Sequence, residues 1–374
     1  MDTSLDPALA IVFHQYALFA EEQYHAILRS PEVSRLQVYV KRKKQEIEQL
    51  KESLKSLPQS NSSHFRELSQ HHRKAEAQYG EDVAQISDRT DSQRTFLVQA
   101  IEMYSRCLQA SDSFDDSAVI RLCSLWFANF NETQMQSNFN QALHRVPSHK
   151  FIFLAHQLSA RLSKPSAGSS KPPDNQKHLQ ALIVRMCNEH PFHSLYQVWA
   201  LQQGAPDGGQ QKVRRHSTRG DSPSLHNGRT SAAADILAIC RQHPPNTHRV
   251  QAIELLCKAY LEWAKHPLKN NKTLQSKAPH NMPNNLLRGI SALPVPVTTA
   301  HTPLDHSLRY NNLVTIAKYA PTFTLAGGVN LPKISECIGS DGRKYKQLVR
   351  SESHNISHLA DSAARSSRVK VTMT

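Results

Sequence analysis

The sequence predicts a mainly α-helical protein, in which an irregular α-solenoid-like body precedes a small, incomplete antiparallel β-sheet. Apolar residues recur at helical spacing through most of residues 1–264, whereas continuous strand-like alternation occurs only between Tyr310 and Arg350. A stretch dense in Pro, Asn and Lys, residues 265–307, separates the two patterns and is typical of a linker. We therefore expect a helical region at 1–264, a linker at 265–307 and a sheet at 308–350.

A seven-residue apolar repeat marks the first strong helix. Seam positions are filled by Val33, Leu36, Val40, Ile47, Leu50, Leu54 and Leu57. Only Lys43 interrupts the repeat, and Pro58 ends the helix. A second helix follows, because Phe65 to Ile86 again share one face, and the two helices predict an antiparallel hairpin. The basic run Lys41–Lys44 fits a solvated helix face better than a localisation signal or a nucleic-acid patch.

Seven further amphipathic segments continue the helical body. They centre on residues 96–108, 119–130, 151–162, 179–186, 195–199, 236–240 and 250–261. Such helices bury their apolar faces by stacking on their neighbours, as in an α-solenoid. Two intervening loops, 164–177 and 204–230, are rich in Ser with Pro or Gly and lack apolar residues to bury, so we expect them to be mobile.

Composition limits the function classes. A formal net charge of +14 and a pI near 9.6 permit contact with nucleic acid or an acidic partner, but the basic residues are spread along the chain. The six cysteines form no C-x-x-C pair and predict reduced thiols in an intracellular protein. No signal peptide or long apolar run occurs, so we expect neither secretion nor membrane insertion. His190 and His193 lack metal-ligand spacing and are expected to be exposed or to cap a helix.

The strand-like region divides into short runs. Val314 alternates with Ile316, Phe323 with Leu325, Ile334 with Ile338, and Tyr345 with Val349. Two turns separate the later runs. The first contains two adjacent glycines at 327–328, and the second contains the Asp-Gly pair at 341–342, which favours a tight hairpin.

This region resembles a known family. The motifs FTLAGGVNLPKI, C-x-GSDG and QLV are similar to the opening of the kinase lobe in phosphatidylinositol-3-kinase-related protein kinases, above all the ataxia-telangiectasia-mutated type and its fungal telomere-maintenance counterparts. Upstream, AIEMYSRCL, RLCSLWFAN, VPSHKFIFLAHQLSARL, EHPFHSLYQVWAL and LCKAYLEWA resemble the helical FAT domain of the same kinases. The resemblance covers about Ala17 to Val349.

The resemblance implies a function for the parent enzyme. Members of this kind are nuclear serine/threonine kinases of DNA-damage signalling and telomere maintenance that use ATP and magnesium on Ser/Thr-Gln sites. It also implies protein partners on the helical surfaces, contact with the rest of the kinase lobe, a homodimer, indirect association with DNA complexes at chromosomes and telomeres, and no membrane.

The resemblance also assigns site residues. It implies a phosphate-covering loop formed by Gly327, Gly328, Val329, Asn330, Leu331, Pro332 and Lys333. Glycines without Cβ let the backbone approach an anion, and Lys333 could add a positive charge. The alternative is a plain β-turn. Arg350 stands where the family has its phosphate-orienting lysine, and its planar guanidinium is not equivalent to an ammonium.

The similarity stops after Val349. Residues 351–374 are unrelated to the family, so we expect a disordered tail and an altered exon boundary, a read-through intron or a truncated gene model. The sequence contains neither catalytic nor metal-binding loops, so we expect an inactive fragment with no catalytic residues, no metal ligands and no productively bound cofactor. The alternatives are a natural short isoform acting as a kinase-dead scaffold and a non-enzymatic basic helical module that binds nucleic acid.

Overall fold

The computed structural model describes residues 6–56, 63–164, 173–203, 223–266, 279–290, 293–326, 332–352 and 368–372. The chain divides into two compact units, Met1–Pro147 and Ser148–Thr374. The expected fold class, a helical body followed by a small antiparallel sheet, is confirmed.

The first unit is helical. Its elements are α1 (Pro7–Leu28), α2 (Pro31–Ser56), α3 (Ser63–Ala110), α4 (Asp115–Ala128), a 3₁₀ turn (Thr133–Met135) and α5 (Gln136–Arg145). The heptad segment forms α2, and the next two predicted helices merge into the 48-residue α3. Half-buried seam residues of α2 face α3, as the hairpin predicts.

Helix α1 has no counterpart in the sequence prediction. It packs on α3 through small residues, and Ala10, Ala17 and Ala20 are fully buried. Larger apolar side chains such as Leu9 and Val12 are about half exposed or more, at 48% and 61%. The apolar pattern therefore does not mark the buried face, because alanines allow the two backbones to approach closely while the larger side chains face outward.

Lys41, Arg42 and Lys44 of the basic run are exposed, as expected, whereas Lys43, which interrupts the heptad, is buried. Lys43 is 7% exposed, and its ammonium lies 3.8 Å from a carboxylate oxygen of Asp82 on α3. It also donates to the Tyr39 hydroxyl at 3.2 Å. A seam lysine is tolerated here because the facing helix supplies a carboxylate.

The second unit holds the remaining helices and the sheet. Its elements are a 3₁₀ segment (Ser148–Leu154), α6 (Ala155–Ala160), α7 (Asp174–Glu189), α8 (Pro191–Gln203), α9 (Pro223–Gln242), a 3₁₀ turn (Pro244–Asn246), α10 (Thr247–Lys265), β1 (His280–Asn281), α11 (Asn284–Ile290), β2 (Ile316–Leu325), β3 (Lys333–Gly339), β4 (Lys344–Glu352) and β5 (Arg368–Thr372). Helices α7 and α9 begin within the stretches expected to be mobile loops, whose central parts, 165–172 and 204–222, lie outside the described residues.

The five strands pair in sequence order, and every pairing is antiparallel. Two of the predicted strands form the single strand β2, whose register shifts between Tyr319 and Phe323. Pro321 lies at this irregularity, where it cannot donate a ladder hydrogen bond. The predicted Asp-Gly hairpin joins β3 to β4, and Gly342 adopts a positive φ of 76° there.

The stretch expected to be a linker, 265–307, contains ordered structure. Strand β1 pairs with β2, and α11 contacts both α10 and β2. Val295 and Val297 are fully buried, and the Val297 amide donates to the Val314 carbonyl at 2.9 Å. Within the described residues 279–290 and 293–307, apolar side chains therefore pack this part of the chain against the sheet. Within the tail expected to be disordered, Arg368–Thr372 pairs with β4 as β5.

Over the described ranges, no helix is both long and apolar enough to cross a membrane. The six cysteines, all within the described ranges, are not in disulfides, and five of them are buried.

Candidate nucleotide-binding end of the sheet

The glycine-rich turn connects β2 to β3. Gly327, Gly328, Val329, Asn330 and Leu331, the predicted phosphate-covering residues, lie outside the described residues. Both ends of the turn are described, and the Ala326 amide donates to the Pro332 carbonyl at 2.8 Å. Leu325 and Lys333 then form the first register pair of the hairpin. The ladder therefore extends to the base of this turn.

Lys333, the last residue of the predicted loop, is buried against the end of α10. Its Nζ atom donates to the carbonyl oxygens of Trp263 at 2.6 Å, Ala264 at 3.0 Å and His266 at 2.8 Å. Carbonyls at a helix C terminus have no intrahelical partner and carry partial negative charge, so they suit an ammonium. Burial lowers the pKa of Lys333 to about 8.

Arg350 lies in β4 at the same end of the sheet. Val349, the residue before it, pairs with Lys333 of β3, and the Arg350 backbone pairs with Lys370 of β5. The base of the glycine-rich turn, at Leu325 and Lys333, and the backbone of Arg350 are thus close in the strand register.

The buried face of the sheet carries more polar side chains than the apolar alternation suggests. Along β3, the alternate residues Lys333, Ser335 and Cys337 are buried. Ile334 and Ile338, on the other face, are only half-buried. Gln347 and Val349 continue this buried face on β4. The sequence pattern locates β3 but not its most buried face, because α10 provides polar partners for that face.

A closed set of hydrogen-bonding groups joins α10 to the sheet. The Tyr260 hydroxyl lies 2.8 Å from the Tyr319 hydroxyl, and the Tyr319 hydroxyl donates to Gln347 Oε1 at 2.9 Å. Gln347 Nε2 donates to the Thr298 hydroxyl at 3.2 Å. The Thr298 hydroxyl in turn lies 3.1 Å from the Tyr260 hydroxyl. These four contacts form a ring in which each hydroxyl can donate one hydrogen bond: Thr298 to Tyr260, Tyr260 to Tyr319, and Tyr319 to Gln347. Burial raises the pKa of both tyrosines, so their hydroxyls stay protonated.

His190 caps the C terminus of α7, as one of the two expectations had it, and its amide donates to the Met186 carbonyl at 2.8 Å. Together with His193 it also contacts the segment before β2. His190 is 1% exposed, and its Nδ1 atom lies 2.6 Å from the Tyr310 hydroxyl. Burial, followed by the neighbouring His149, lowers the pKa of His190 to about 4. His193 Nε2 contacts the Thr302 carbonyl oxygen at 3.0 Å. Tyr310 itself has a positive φ of 55°. These histidines are structural, and no metal-binding group of three or more ligands occurs in the parts of the chain that the structure covers.

The architecture defines a class of protein: a helical region of the FAT type followed by the first strands of a kinase N-lobe. The chain matches the solved FAT and kinase domain of CtTel1 with a TM-score of 0.69 and 27% identity, covering 91% of this chain and 21% of that one. The open conformation of CtTel1 gives the same TM-score at 28% identity, covering 91% of this chain and 12% of that one.

Sequence comparison gives the family. The pig serine-protein kinase ATM is 30% identical over 350 residues, which are 90% of this chain and 11% of that kinase. The Cryptococcus neoformans serine/threonine-protein kinase TEL1 is 30% identical over 346 residues, 92% of this chain and 11% of that kinase. The chain is homologous to the ATM/Tel1 kinases over about nine tenths of its length, and it spans about a tenth of the length of these relatives. No family model matches the chain.

Proposed function

We propose that residues 1–374 are the FAT-type segment and the beginning of the N-lobe of a serine/threonine kinase of the ATM/Tel1 type. The parent enzyme would use ATP and magnesium to phosphorylate Ser/Thr-Gln sites in DNA-damage signalling and telomere maintenance in the nucleus. In this proposal residues 1–264 form the helical region, 265–307 the connection and 308–350 the incomplete lobe. Protein partners would dock on the helical surfaces, and the parent would dimerise, as CtTel1 does in its complete dimer with C2 symmetry.

One observation carries the proposal. The turn at 327–331 joins two strands whose register places Arg350 at the same end of the sheet. Backbone amides of a glycine-rich turn and a cationic residue are the kinds of group that cover and orient nucleotide phosphates. Homology to ATM and Tel1 over about nine tenths of the chain supports the assignment.

Residues 1–374 by themselves would be inactive. Phosphoryl transfer also needs a residue that positions the nucleophile and groups that hold magnesium, and the resemblance assigns none of these here. Arg350 keeps the positive charge of the family's lysine, but it is larger and planar. The segment would therefore bind nucleotide weakly and would not transfer phosphate.

The test is protection of the turn by nucleotide. Amide hydrogen exchange of residues 326–332 should slow when MgATP is added, compared with MgCl₂ alone, and α7 serves as the internal control. The single variant Gly328→Val should abolish the protection, because a β-branched side chain hinders close approach of the backbone to an anion. Equal exchange with and without MgATP at millimolar nucleotide would contradict the proposed site.

The net charge of +14 favours a second candidate, a basic helical scaffold that binds nucleic acid. Fluorescence anisotropy with duplex DNA at increasing salt distinguishes the two. Non-specific electrostatic binding would weaken steeply with salt. Tight, sequence-selective binding at moderate salt would favour the scaffold, whereas no binding at moderate salt agrees with the kinase segment.

A further inference from the structure

Lys333 has no hydrogen left for a phosphate. An ammonium carries three N–H donors, and the structure directs Nζ to three carbonyl oxygens at 2.6, 3.0 and 2.8 Å. The side chain is 5% exposed, so water cannot replace these acceptors without opening the contact between α10 and the sheet. A phosphate would have to draw the ammonium away from a helix terminus that attracts it.

Lys333 lies where the three strands β2, β3 and β4 are side by side. Lys333 is the first residue of β3, and it pairs with Leu325 of β2 on one side and with Val349 of β4 on the other. The glycine-rich turn ends directly before it, and Arg350 directly follows its β4 partner. One side chain thus fastens the end of α10 to the backbone on both sides of the candidate nucleotide site.

The same helix reaches the sheet at a second point. The Tyr260 hydroxyl, one turn before Trp263, contacts Tyr319 of β2 and Gln347 of β4. Gln347 lies two residues before the Val349 partner of Lys333. Two polar contacts from the last turns of α10 therefore fix both the position and the orientation of the strands at this end.

We infer that Lys333 is a positioning residue that fastens the glycine-rich end of the sheet to the C terminus of α10, and not a ligand of the nucleotide phosphates. The last helix of the helical body is coupled to the nucleotide end of the lobe through one buried ammonium. This inference rests on the proposed function for the identity of the ligand, but not for the contact itself.

The experiment compares three variants of the full 374-residue chain with the unmodified chain. Lys333→Met keeps the length of the side chain and removes its donors, and Lys333→Arg keeps charge and donors. Lys318→Met is the matched control, because Lys318 is an exposed lysine on β2. Hydrogen exchange is followed at residues 262–266, at 332–335 and in α7, with and without MgATP.

The expected result is local. Lys333→Met should speed exchange at 262–266 and 332–335 about tenfold or more, because hydrogen bonds to a charged group are among the stronger ones. Lys333→Arg should recover part of this protection, and Lys318→Met should change nothing. Exchange in α7 should stay at the rate of the unmodified chain. A general loss of stability would instead speed exchange in α7 as much as at 262–266 and 332–335.

Two results would overturn the inference. One is unchanged exchange at 262–266 in Lys333→Met together with loss of MgATP protection at 326–332, which would make Lys333 a phosphate ligand. The other is equal acceleration throughout the second unit without recovery by Lys333→Arg. If Lys333→Met acts locally but MgATP protects nothing in the unmodified chain, the positioning role holds and the proposed function fails.

Discussion

Tyr260 and Tyr319 form the hydroxyl pair at the centre of the polar contact between α10 and the sheet. Tyr260→Phe should lower the free energy of unfolding of the second unit by about 1 to 3 kcal/mol, because buried groups at Tyr319, Gln347 or Thr298 lose a partner. Urea unfolding followed by tryptophan fluorescence measures the change. Tyr345→Phe is the control, since its hydroxyl contacts Asp341 at the exposed hairpin, and it should cost less than about 0.5 kcal/mol.

A double-mutant cycle measures whether the hydroxyls of Tyr260 and Tyr319 stabilise the fold cooperatively or independently. If the hydroxyls act together, the double variant Tyr260→Phe with Tyr319→Phe should cost less than the sum of the two single changes. Additive costs would show that the ring has no cooperative contribution.

His190 makes the stability of the second unit sensitive to acid. Its pKa in the folded state is about 4, below the ordinary value of 6.5, so the unfolded chain binds more protons between these values. Stability should therefore fall as the pH decreases from about 6.5 towards 4, with a contribution of roughly 1 to 3 kcal/mol from this group. The charged and titratable groups around it are His149, His193, His306 and Asp305.

The variant His190→Asn tests this contribution, because its amide keeps a polar group near the Tyr310 hydroxyl. Its urea midpoint should depend less on pH between 6.5 and 4 than that of the unmodified chain. His248→Asn is the control on an exposed histidine of α10. An unchanged pH dependence in His190→Asn would contradict the assignment.

At the scale of elements, the hairpin of α2 and α3 depends on one buried ion pair. Asp82→Asn should destabilise the first unit by about 1 to 3 kcal/mol, because it leaves the Lys43 ammonium without its carboxylate. Adding Lys43→Met should recover most of this loss, since methionine continues the apolar seam. Glu81→Gln, on the exposed neighbour, is the control, and thermal unfolding by circular dichroism gives the comparison.

A loss in the double variant as large as in Asp82→Asn alone would show that the carboxylate stabilises α3 without Lys43. Neutral behaviour of Asp82→Asn would show that the pair contributes nothing to the hairpin.

Element prediction succeeded where large apolar residues mark the packed face. The heptad from Val33 to Leu54 locates α2, and the Asp341-Gly342 pair locates the β3–β4 hairpin. Helix α1 was missed because three of its five buried positions are alanines and a fourth is Glu21. Strand β3 was found through Ile334 and Ile338, but its buried face is that of Lys333 and Ser335. The partners of Lys333 on α10 are distant in sequence, so the pattern could not show that its side chain is buried.

At the scale of the whole molecule, the motifs around residues 323–349 gave the family, and homology to ATM and Tel1 confirms it. The candidate site was predictable only as a set of positions. The resemblance placed Lys333 in a phosphate-covering loop. A lysine in the sequence indicates a positive charge, but it does not show which group that charge contacts. The end of α10, some 70 residues earlier, provides that partner.

The division of the chain was predictable only coarsely. The composition of residues 265–307 indicates a linker, yet β1, α11 and the buried Val295 and Val297 belong to the packing of the second unit. Apolar residues that are sparse in the sequence still bury surface when a sheet edge and a helix lie beside them. We therefore expect the connection to unfold together with the sheet.

The most direct test of the proposed kinase segment is phosphate transfer by residues 1–374. The purified chain is incubated with MgATP labelled at the γ-phosphate and a Ser-Gln peptide, with a full-length Tel1-type kinase as the positive control. We expect MgATP protection of residues 326–332 in the exchange experiment, but no transfer above a sample without protein. Transfer that depends on residues 1–374, and that Arg350→Ala abolishes, would contradict the assignment of an inactive segment.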